Sequence, residues 1–320
     1  PQALTPSRLP PHMTAAPGGP IRRHRVLSCL IGVLVLAVLV PVIVLGVLDH
    51  RSGDVALRMP TGDGPSTWLI LGLDDRTQQA EGNDIGDQDG HRDAAANADV
   101  ILVATRTEDQ WHLTSVRRDV HYSIGMGLSG RLGLAWRDDP QTLVDQTCLT
   151  LNIPADHVVA VTLRAFVDLV DALGGIDITV QHDMRDERAA LDITAGPHHV
   201  DGRTALAYVR SRQGRVLIDG AWVDDPEGQD GRARRAGEVF GAVVARLRSR
   251  PGDWFGAAWR TAPDIRLDTR THLWELALLA GASGADVQEL PLTQSPDGFY
   301  SEVDERTRSY TEGIGYTRTC

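Results

Sequence analysis

The chain has 320 residues, of which 42% are hydrophobic and 23% charged, so it is long enough to bury a hydrophobic core and falls in the globular class. Its formal net charge of −11 argues against a general nucleic-acid partner, because binding to a phosphate backbone requires a broad positive field. Apart from histidine, the basic side chains are all arginine. An arginine is therefore informative only through its position.

The N-terminal residues predict a membrane anchor. Residues 1–25 are rich in Pro and Gly, end in three arginines and predict a disordered cytoplasmic tail, and residues 26–48 are apolar without a charge. At ~1.5 Å per residue, that run predicts a transmembrane helix that covers the ~30 Å hydrocarbon core. A cleaved signal peptide is the alternative, which the length of the run disfavours. The arginines predict a single-pass cell-membrane protein with its N-terminus in the cytoplasm and the chain beyond residue 48 extracytoplasmic.

A linker over residues 49–66, a domain over residues 67–300 and a C-terminal tail over residues 301–320 are predicted to follow. Short apolar runs bounded by turn formers predict strands at residues 68–73, 100–105, 112–116, 157–162, 176–180 and 286–290. Helical patterns with capping residues predict helices at residues 140–151, 164–173, 201–212, 230–248 and 271–280. Their alternation predicts an α/β domain with a central mixed sheet covered by helices on both faces.

The three cysteines are Cys29, Cys148 and Cys320. An extracytoplasmic compartment permits a disulfide between Cys148 and Cys320, but the sequence contains nothing that sets the distance between them. Both the paired and the unpaired state therefore remain open.

Asp and Arg residues at the ends of predicted elements are the candidates for a functional site. They are Asp74, Asp75, Arg76, Asp99, Arg117, Arg118, Asp119, Arg210, Arg212, Asp230, Arg232, Arg234 and Arg235. In α/β sheets, ligands bind in the crevice at the carboxyl ends of strands. Carboxylates suit a divalent cation such as Mg²⁺, and arginines suit phosphate oxygens. A solvated surface is the alternative, and we assign the adjacent His198 and His199 to such a surface.

Several short motifs occur in a defined order along the outer part of the chain. They are LGLDDR at 71–76, ADV at 98–100, SVRRD at 115–119, DLVDALGG at 168–175, DGRTALAYVRSR at 201–212 and DGRARR at 230–235. Together they resemble the motifs of the LytR-CpsA-Psr family of cell-wall glycopolymer transferases of Gram-positive bacteria. The resemblance extends from about Trp68 to Leu292.

The resemblance implies an Mg²⁺-dependent phosphotransferase that moves a polyprenyl-pyrophosphate-linked glycopolymer to peptidoglycan. Asp74 and Asp99 would hold the metal, and Asp74, Arg118 and Asp119 would be the catalytic residues. The pyrophosphate of the donor would be bound by Arg76, Arg118, Arg210, Arg212, Arg232 and Arg235.

The chain departs from the family pattern at several positions of this site. Asn97 stands where the family has Arg, Gly133 where it has Asn, and Ala236 where it has Gln. The segment 213–229 is also longer than usual and carries Asp219, Asp224 and Asp225. These departures leave two alternatives open, namely a non-catalytic paralogue that binds polyprenyl lipids or regulates envelope assembly, and a pyrophosphatase.

Overall fold

A computed structural model describes residues 45–60, 64–74, 96–125, 128–211, 214–226, 228–282 and 284–316. A compact unit extends from Val47 to Cys320. Within it, alternating strands and helices confirm the predicted α/β class.

The described strands are short except for two long central ones. They are β1 (Gly53–Val55), β2 (Ser66–Asp74), β3 (Asn97–Arg106), β4 (Trp111–Val116), β5 (His121–Gly125), β6 (Leu128–Arg131), β7 (His157–Thr162), β8 (Ile176–Val180), β9 (Met184–Asp186), β10 (Leu191–Ile193), β11 (Gly196–Val200), β12 (Arg215–Ile218), β13 (Ala221–Asp224), β14 (Ile265–Asp268), β15 (Val287–Glu289), β16 (Thr293–Gln294) and β17 (Ser301–Glu302). Residues 45–51 are helical and precede β1, and the α-helices that follow in the described part of the chain are α1 (Leu132–Asp138), α2 (Pro140–Leu151), α3 (Leu163–Ala172), α4 (Gly202–Arg210), α5 (Gly228–Ser249), α6 (Trp254–Thr261) and α7 (Glu305–Ile314). Short 3₁₀ helices occupy Pro251–Asp253, Ala262–Asp264 and Leu273–Ala282.

The main sheet has the strand order β1-β14-β7-β2-β3-β4-β15 in the described part of the chain. Strands β2 and β7 are parallel, whereas β3 is antiparallel to both of its neighbours β2 and β4. The sheet is therefore mixed, as predicted. The long strands β2 and β3 lie near its centre because their apolar runs are buried.

Two hydrophobic cores lie on opposite faces of this sheet. Leu69 and Leu71 of β2 belong to the core that includes residues of α1 and α2. On the other face, Val100 of β3 packs against the core formed by α3, α4 and α5, which includes Val170 and Tyr208. Successive side chains of a strand point to opposite faces, so both layers bury part of the same strands. This arrangement confirms the predicted helical cover on both faces.

Several predicted elements differ from those observed. The helix predicted at residues 271–280 is the 3₁₀ helix Leu273–Ala282. The predicted linker contains β1, which pairs with β14. The predicted C-terminal tail instead forms β17 and α7, because Asp304 and Thr307 make a reciprocal capping box that starts the helix. Tyr316 is buried in the core behind that helix. A second sheet, of order β10-β9-β12-β13, was not predicted.

The predicted transmembrane helix lies outside the described residues except at residues 45–48. Among the residues that are described, none of the helices has the length and apolar character needed to span a membrane. Cys148, on α2, is disulfide-bonded. The other two cysteines of the chain lie outside the described residues.

Candidate functional site

Asp74 and Asp99 lie at the same end of two neighbouring central strands. Asp74 is the last residue of β2 and is opposite Asn97 in the ladder with β3. The register shifts between Gly72 and Leu73, which leaves Asp99 as the extra residue of a β-bulge. A bulge redirects the side chain of its extra residue. Two carboxylates therefore lie at this end of the β2–β3 strand pair, and one of them is buried (Asp74, 6% exposed).

Arg118 occupies the loop that follows β4 and contacts Asp99. Its Nη1 donates a hydrogen bond to Oδ1 of Asp99. The Arg118 side chain is 42% exposed, whereas that of Asp99 is 15% exposed. The loop is fixed from the other side, since the backbone nitrogen of Gly133 donates to the carbonyl oxygen of Arg118 at 2.7 Å. The arginine head therefore reaches solvent from a fixed backbone.

Gly133 is required by this close approach of α1 to the site. A Cβ atom placed there would lie 2.7 Å from the carbonyl oxygen of Ala98 and 2.7 Å from Cβ of Arg118. Neither atom can move away without shifting the backbone of β3 or of the Arg118 loop. This close approach is a steric reason why the chain has glycine at position 133, where the family pattern has asparagine.

Asp119 is held in a hydrogen-bond network next to Arg118. It accepts from Nε and Nη2 of Arg117 at 3.1 and 2.9 Å, and from Oγ of Ser301 at 3.0 Å. Burial by itself raises the pKa of Asp119, but the hydrogen bonds and charge of Arg117 and the Ser301 hydrogen bond outweigh it, so the pKa is lowered. Asp119 is therefore an ionised group that joins the Arg117 loop to β17.

An open cavity of about 320 Å³ lies over these residues. Its lining combines the bulge of β3, the loop after β4, the start of α1 and one turn of α5. The lining residues include Asp99, Arg117, Arg118, Asp119, Arg131, Gly133, Ala236, Glu289 and Phe299. The structure thus brings together four of the candidate site residues, Asp99, Arg117, Arg118 and Asp119.

Arg235 lies beside the cavity but points into the protein interior. Its side chain is 1% exposed; Nη1 donates to Asp225 Oδ2 at 3.1 Å, and Nη2 donates to the carbonyl oxygen of Ser211 at 2.7 Å. Oγ of Ser211 in turn donates to Asp186. The neighbouring residue Ala236 lines the cavity. Arg235 is therefore a buried support behind the wall, and the acidic insertion supplies its carboxylate.

The structure describes the remaining predicted arginines only in part. Arg210 is partly buried at the last turn of α4. Arg232 lies in α5, but its side chain is outside the described set, and Arg76 and Arg212 lie wholly outside the described residues. Asp75 also falls in a segment that is not described.

The carboxylates fit an Mg²⁺ ion bound jointly with a phosphate ligand. In the described part of the chain, no three His, Cys, Asp or Glu side chains cluster as a complete metal site. Mg²⁺ is commonly held by one or two carboxylates, several waters and substrate phosphates, so a third protein carboxylate is not needed. Asp74 and Asp99 supply such a pair at adjacent strand ends.

Sequence reasoning missed part of the cavity wall. Glu289 ends the edge strand β15, and this strand-end position is a signal that could have identified it. Phe299 is 62% exposed at the cavity and lies beyond the last predicted strand. Arg131 stands alone among leucines and glycines, and its sequence context carries no signal for a site.

The fold and the site define a class of α/β protein with a cavity at the strand ends that is lined by arginines and carboxylates. The LytR_cpsA_psr family model matches residues 47–251. The chain belongs to this family.

Relatives and solved structures agree with that assignment. The polyisoprenyl-teichoic acid–peptidoglycan teichoic acid transferase TagU of Enterococcus faecalis is 28% identical over 187 residues, which are 58% of this chain and 54% of the relative. The probable cell wall biosynthesis protein LcpB of Corynebacterium glutamicum is 27% identical over 252 residues, 72% of this chain and 56% of the relative. The chain thus spans about half the length of the curated relatives it matches.

A solved LytR-Csp2A-Psr enzyme from Actinomyces oris has the same fold. It is 28% identical to this chain and superposes with a TM-score of 0.68. The match covers 83% of this chain and 97% of that chain.

Proposed function

We propose that the protein transfers a glycopolymer from a polyprenyl-pyrophosphate carrier to peptidoglycan, forming a phosphodiester. One observation carries the proposal: Arg118 and Asp99 contact each other in a cavity at the strand ends. The relative TagU, named a polyisoprenyl-teichoic acid–peptidoglycan teichoic acid transferase, supports the same substrate classes.

The proposed reaction replaces the phosphoanhydride bond of the donor by a phosphate ester bond to the acceptor. A hydroxyl group of peptidoglycan attacks the phosphorus that carries the glycopolymer, and the bond from this phosphorus to the bridging oxygen breaks. Polyprenyl phosphate leaves with the bonding electron pair, and the hydroxyl proton passes to solvent or to a nearby carboxylate. Such phosphoryl transfer depends mainly on positioning and on neutralising the oxygens' negative charge.

The residues of this chain would divide that work between them. When bound, Mg²⁺ at Asp74 and Asp99 would neutralise charge on the pyrophosphate oxygens. Arg118, which is exposed enough to reach a ligand, would turn from Asp99 to a phosphate oxygen. Asp119 would hold the Arg117 loop in place, and Arg235 would support the cavity wall. We retain Arg76, Arg210, Arg212 and Arg232 as proposed donor-binding residues.

We also propose that residues 26–48 anchor the protein in the cell membrane, with the domain outside. The support is the uncharged apolar run that follows a cluster of arginines. Such an anchor would hold the domain beside a lipid-borne donor and raise its effective concentration. A reporter enzyme that is active only outside the cytoplasm, fused after residue 320, should be active; an inactive fusion would contradict this orientation.

The activity is tested with the full-length chain in detergent. The assay supplies a synthetic polyprenyl-pyrophosphate glycan, peptidoglycan and Mg²⁺, and measures both the phosphodiester product and polyprenyl phosphate. Arg118→Ala should lower the rate by about 10- to 150-fold, which corresponds to one charge-assisted hydrogen bond of ~1.5–3 kcal/mol.

The matched control is Arg137→Ala on α1, because this exposed arginine bonds to the exposed Asp138 and does not line the cavity. Its rate should equal that of the unaltered protein. If Arg118→Ala retained the full rate while folding normally, the assignment of the cavity as the transfer site would be wrong. Release of polyprenyl phosphate together with glycan phosphate in the absence of acceptor would instead identify a pyrophosphatase.

The second candidate function is lipid binding without turnover. Ala236, where the family has a glutamine, lines the cavity itself, and Asn97 pairs with Asp74 in the ladder. Both departures therefore lie at the site and remove polar or cationic groups from it. Stoichiometric binding of the donor with no product in the presence of Mg²⁺, Mn²⁺ or Ca²⁺ would favour this candidate over the transferase.

A further inference from the structure

Helix α6 exposes two of its three aromatic residues, while smaller side chains of the same helix are buried. Phe255 and Trp259 are 47% and 41% exposed, whereas Ala257 and Thr261 are buried. The two rings lie one turn apart, with their centroids separated by 5.9 Å. A helix on the surface of a soluble domain normally turns its apolar side towards the core. The opposite arrangement indicates that this surface contacts something apolar.

The 3₁₀ helix Leu273–Ala282 exposes a second pair of large apolar side chains. Trp274 is 49% exposed and Leu278 is 47% exposed, while Leu273 and Leu279 of the same segment are buried. We call the four exposed residues Phe255, Trp259, Trp274 and Leu278 the aromatic face. Exposed apolar side chains that occur in a group mark an interaction surface more often than isolated ones do.

The segment by which the chain enters the domain contacts Trp259 of the aromatic face and the start of the 3₁₀ helix that carries Trp274 and Leu278. The guanidinium of Arg51 lies 4.3 Å from the ring centroid of Trp259. Asp49 accepts hydrogen bonds from Nδ1 of His272 at 2.8 Å and from the backbone nitrogen of Leu273 at 2.9 Å. The entry segment is therefore fixed directly beside the aromatic face.

The length of this segment sets the depth of the aromatic face relative to a bilayer. Residues 45–51 are helical, and the predicted membrane span ends at residue 48. Three residues at ~1.5 Å each place Arg51 about 5 Å beyond the hydrocarbon core. The headgroup region is roughly 5–7 Å thick on each side. Arg51 and the ring of Trp259 would then lie within the headgroup region.

We propose that the aromatic face docks onto the outer surface of the lipid bilayer in which the chain is anchored. Trp rings and Arg side chains concentrate at membrane interfaces because they have an apolar body and a polar or charged end. The proposal rests on the membrane anchor but not on the transfer reaction. It assigns to the domain a fixed orientation on the membrane rather than free rotation on a tether.

Tryptophan fluorescence in vesicles tests the proposal with the full-length chain. The apolar run 26–48 contains no tryptophan, so quenching by brominated lipid reports on the domain alone. Lipids brominated close to the ester end of their acyl chains should quench the unaltered protein more than lipids brominated near the methyl end. Trp259→Phe and Trp274→Phe should each lose part of this quenching. Trp222→Phe, whose ring pairs with Arg185 on the second sheet, should not.

A second variant separates docking from the loss of the reporter. Phe255→Ser keeps every tryptophan and changes an exposed side chain, so it should fold normally but show less quenching. Recovery of the protein with vesicles after an alkaline wash establishes the anchor independently. An anchored protein whose tryptophans are not quenched by either lipid would overturn the proposal. So would quenching that persists unchanged in both tryptophan variants, or solvent shielding of Trp259 by peptidoglycan fragments instead of lipid.

Discussion

Removing Asp225 should strongly destabilise the domain, because it would leave the guanidinium of Arg235 buried without its carboxylate. The two side chains are 1% and 6% exposed and lie 3.1 Å apart. Breaking a buried ion pair by removing one partner costs about 3–5 kcal/mol. For a domain of this size that corresponds to a fall in Tm of roughly 6–20 °C.

The assay is thermal and urea unfolding of Asp225→Ala, with Asp192→Ala as the matched control. Asp192 pairs with Arg185, but both side chains are more than half exposed. Surface ion pairs contribute ~0–1 kcal/mol, so the control should unfold close to the unaltered protein. A double variant, Asp225→Leu with Arg235→Met, should recover much of the loss, since it removes both charges together.

One more observation favours recovery in the double variant. Among the described residues, Nε of Arg235 has no hydrogen-bond partner, and an unsatisfied buried donor costs about 1–3 kcal/mol. Equal Tm values for Asp225→Ala and Asp192→Ala would show that the pair is hydrated, and the account of Arg235 as a buried support would fail.

Three further predictions concern a histidine, a glycine and the metal. Asp177 and the Gly174 carbonyl oxygen accept hydrogen bonds from His199 and raise the pKa of His199. The stabilising effect of His199 should therefore be complete below about pH 6.5 and be lost as the pH rises through the raised pKa. The Tm difference between the unaltered protein and His199→Gln at several pH values measures this effect, and a difference that grows with pH would contradict the prediction. Gly133→Ala should cost about 1–3 kcal/mol in urea unfolding, whereas Gly241→Ala, with no atom within 4 Å of the new Cβ, should be neutral or slightly stabilising. Chelation of divalent cations should abolish glycan transfer and Mg²⁺ should restore it; transfer that persists in excess chelator would remove the metal from the proposed site.

The main sheet could be predicted because its central strands are buried on both faces. Continuous apolar runs such as Trp68–Leu73 are distinctive for strands of this kind, and capping residues such as Asp201 give the start of a helix. The second sheet could not be predicted, since β9, β10, β12 and β13 have three or four residues each and lie between loops. Strands that short contain too few residues to show a period of two.

The site could be predicted only as far as neighbouring strand ends determine it. Asp99 and Arg118 follow or begin strands that pair directly, so their proximity follows from the order of the strands. The burial of Arg235 could not be predicted, because its partner Asp225 lies in an insertion whose path no pattern specifies. The capping box at Asp304 was visible in the sequence, but its distance from the motifs left residues 301–316 assigned to a tail.

The C-terminal segment has a consequence for the order of events during synthesis. The hydroxyl group of Tyr316 bonds to Thr105 of the central strand β3, and the backbone of Tyr316 bonds to Asn152 after α2. These contacts join residues separated by most of the domain. Nearly the whole domain must therefore be synthesised before the central strands, which are made early, acquire their final neighbours. Until then the growing chain presents an unfinished core with apolar surface exposed.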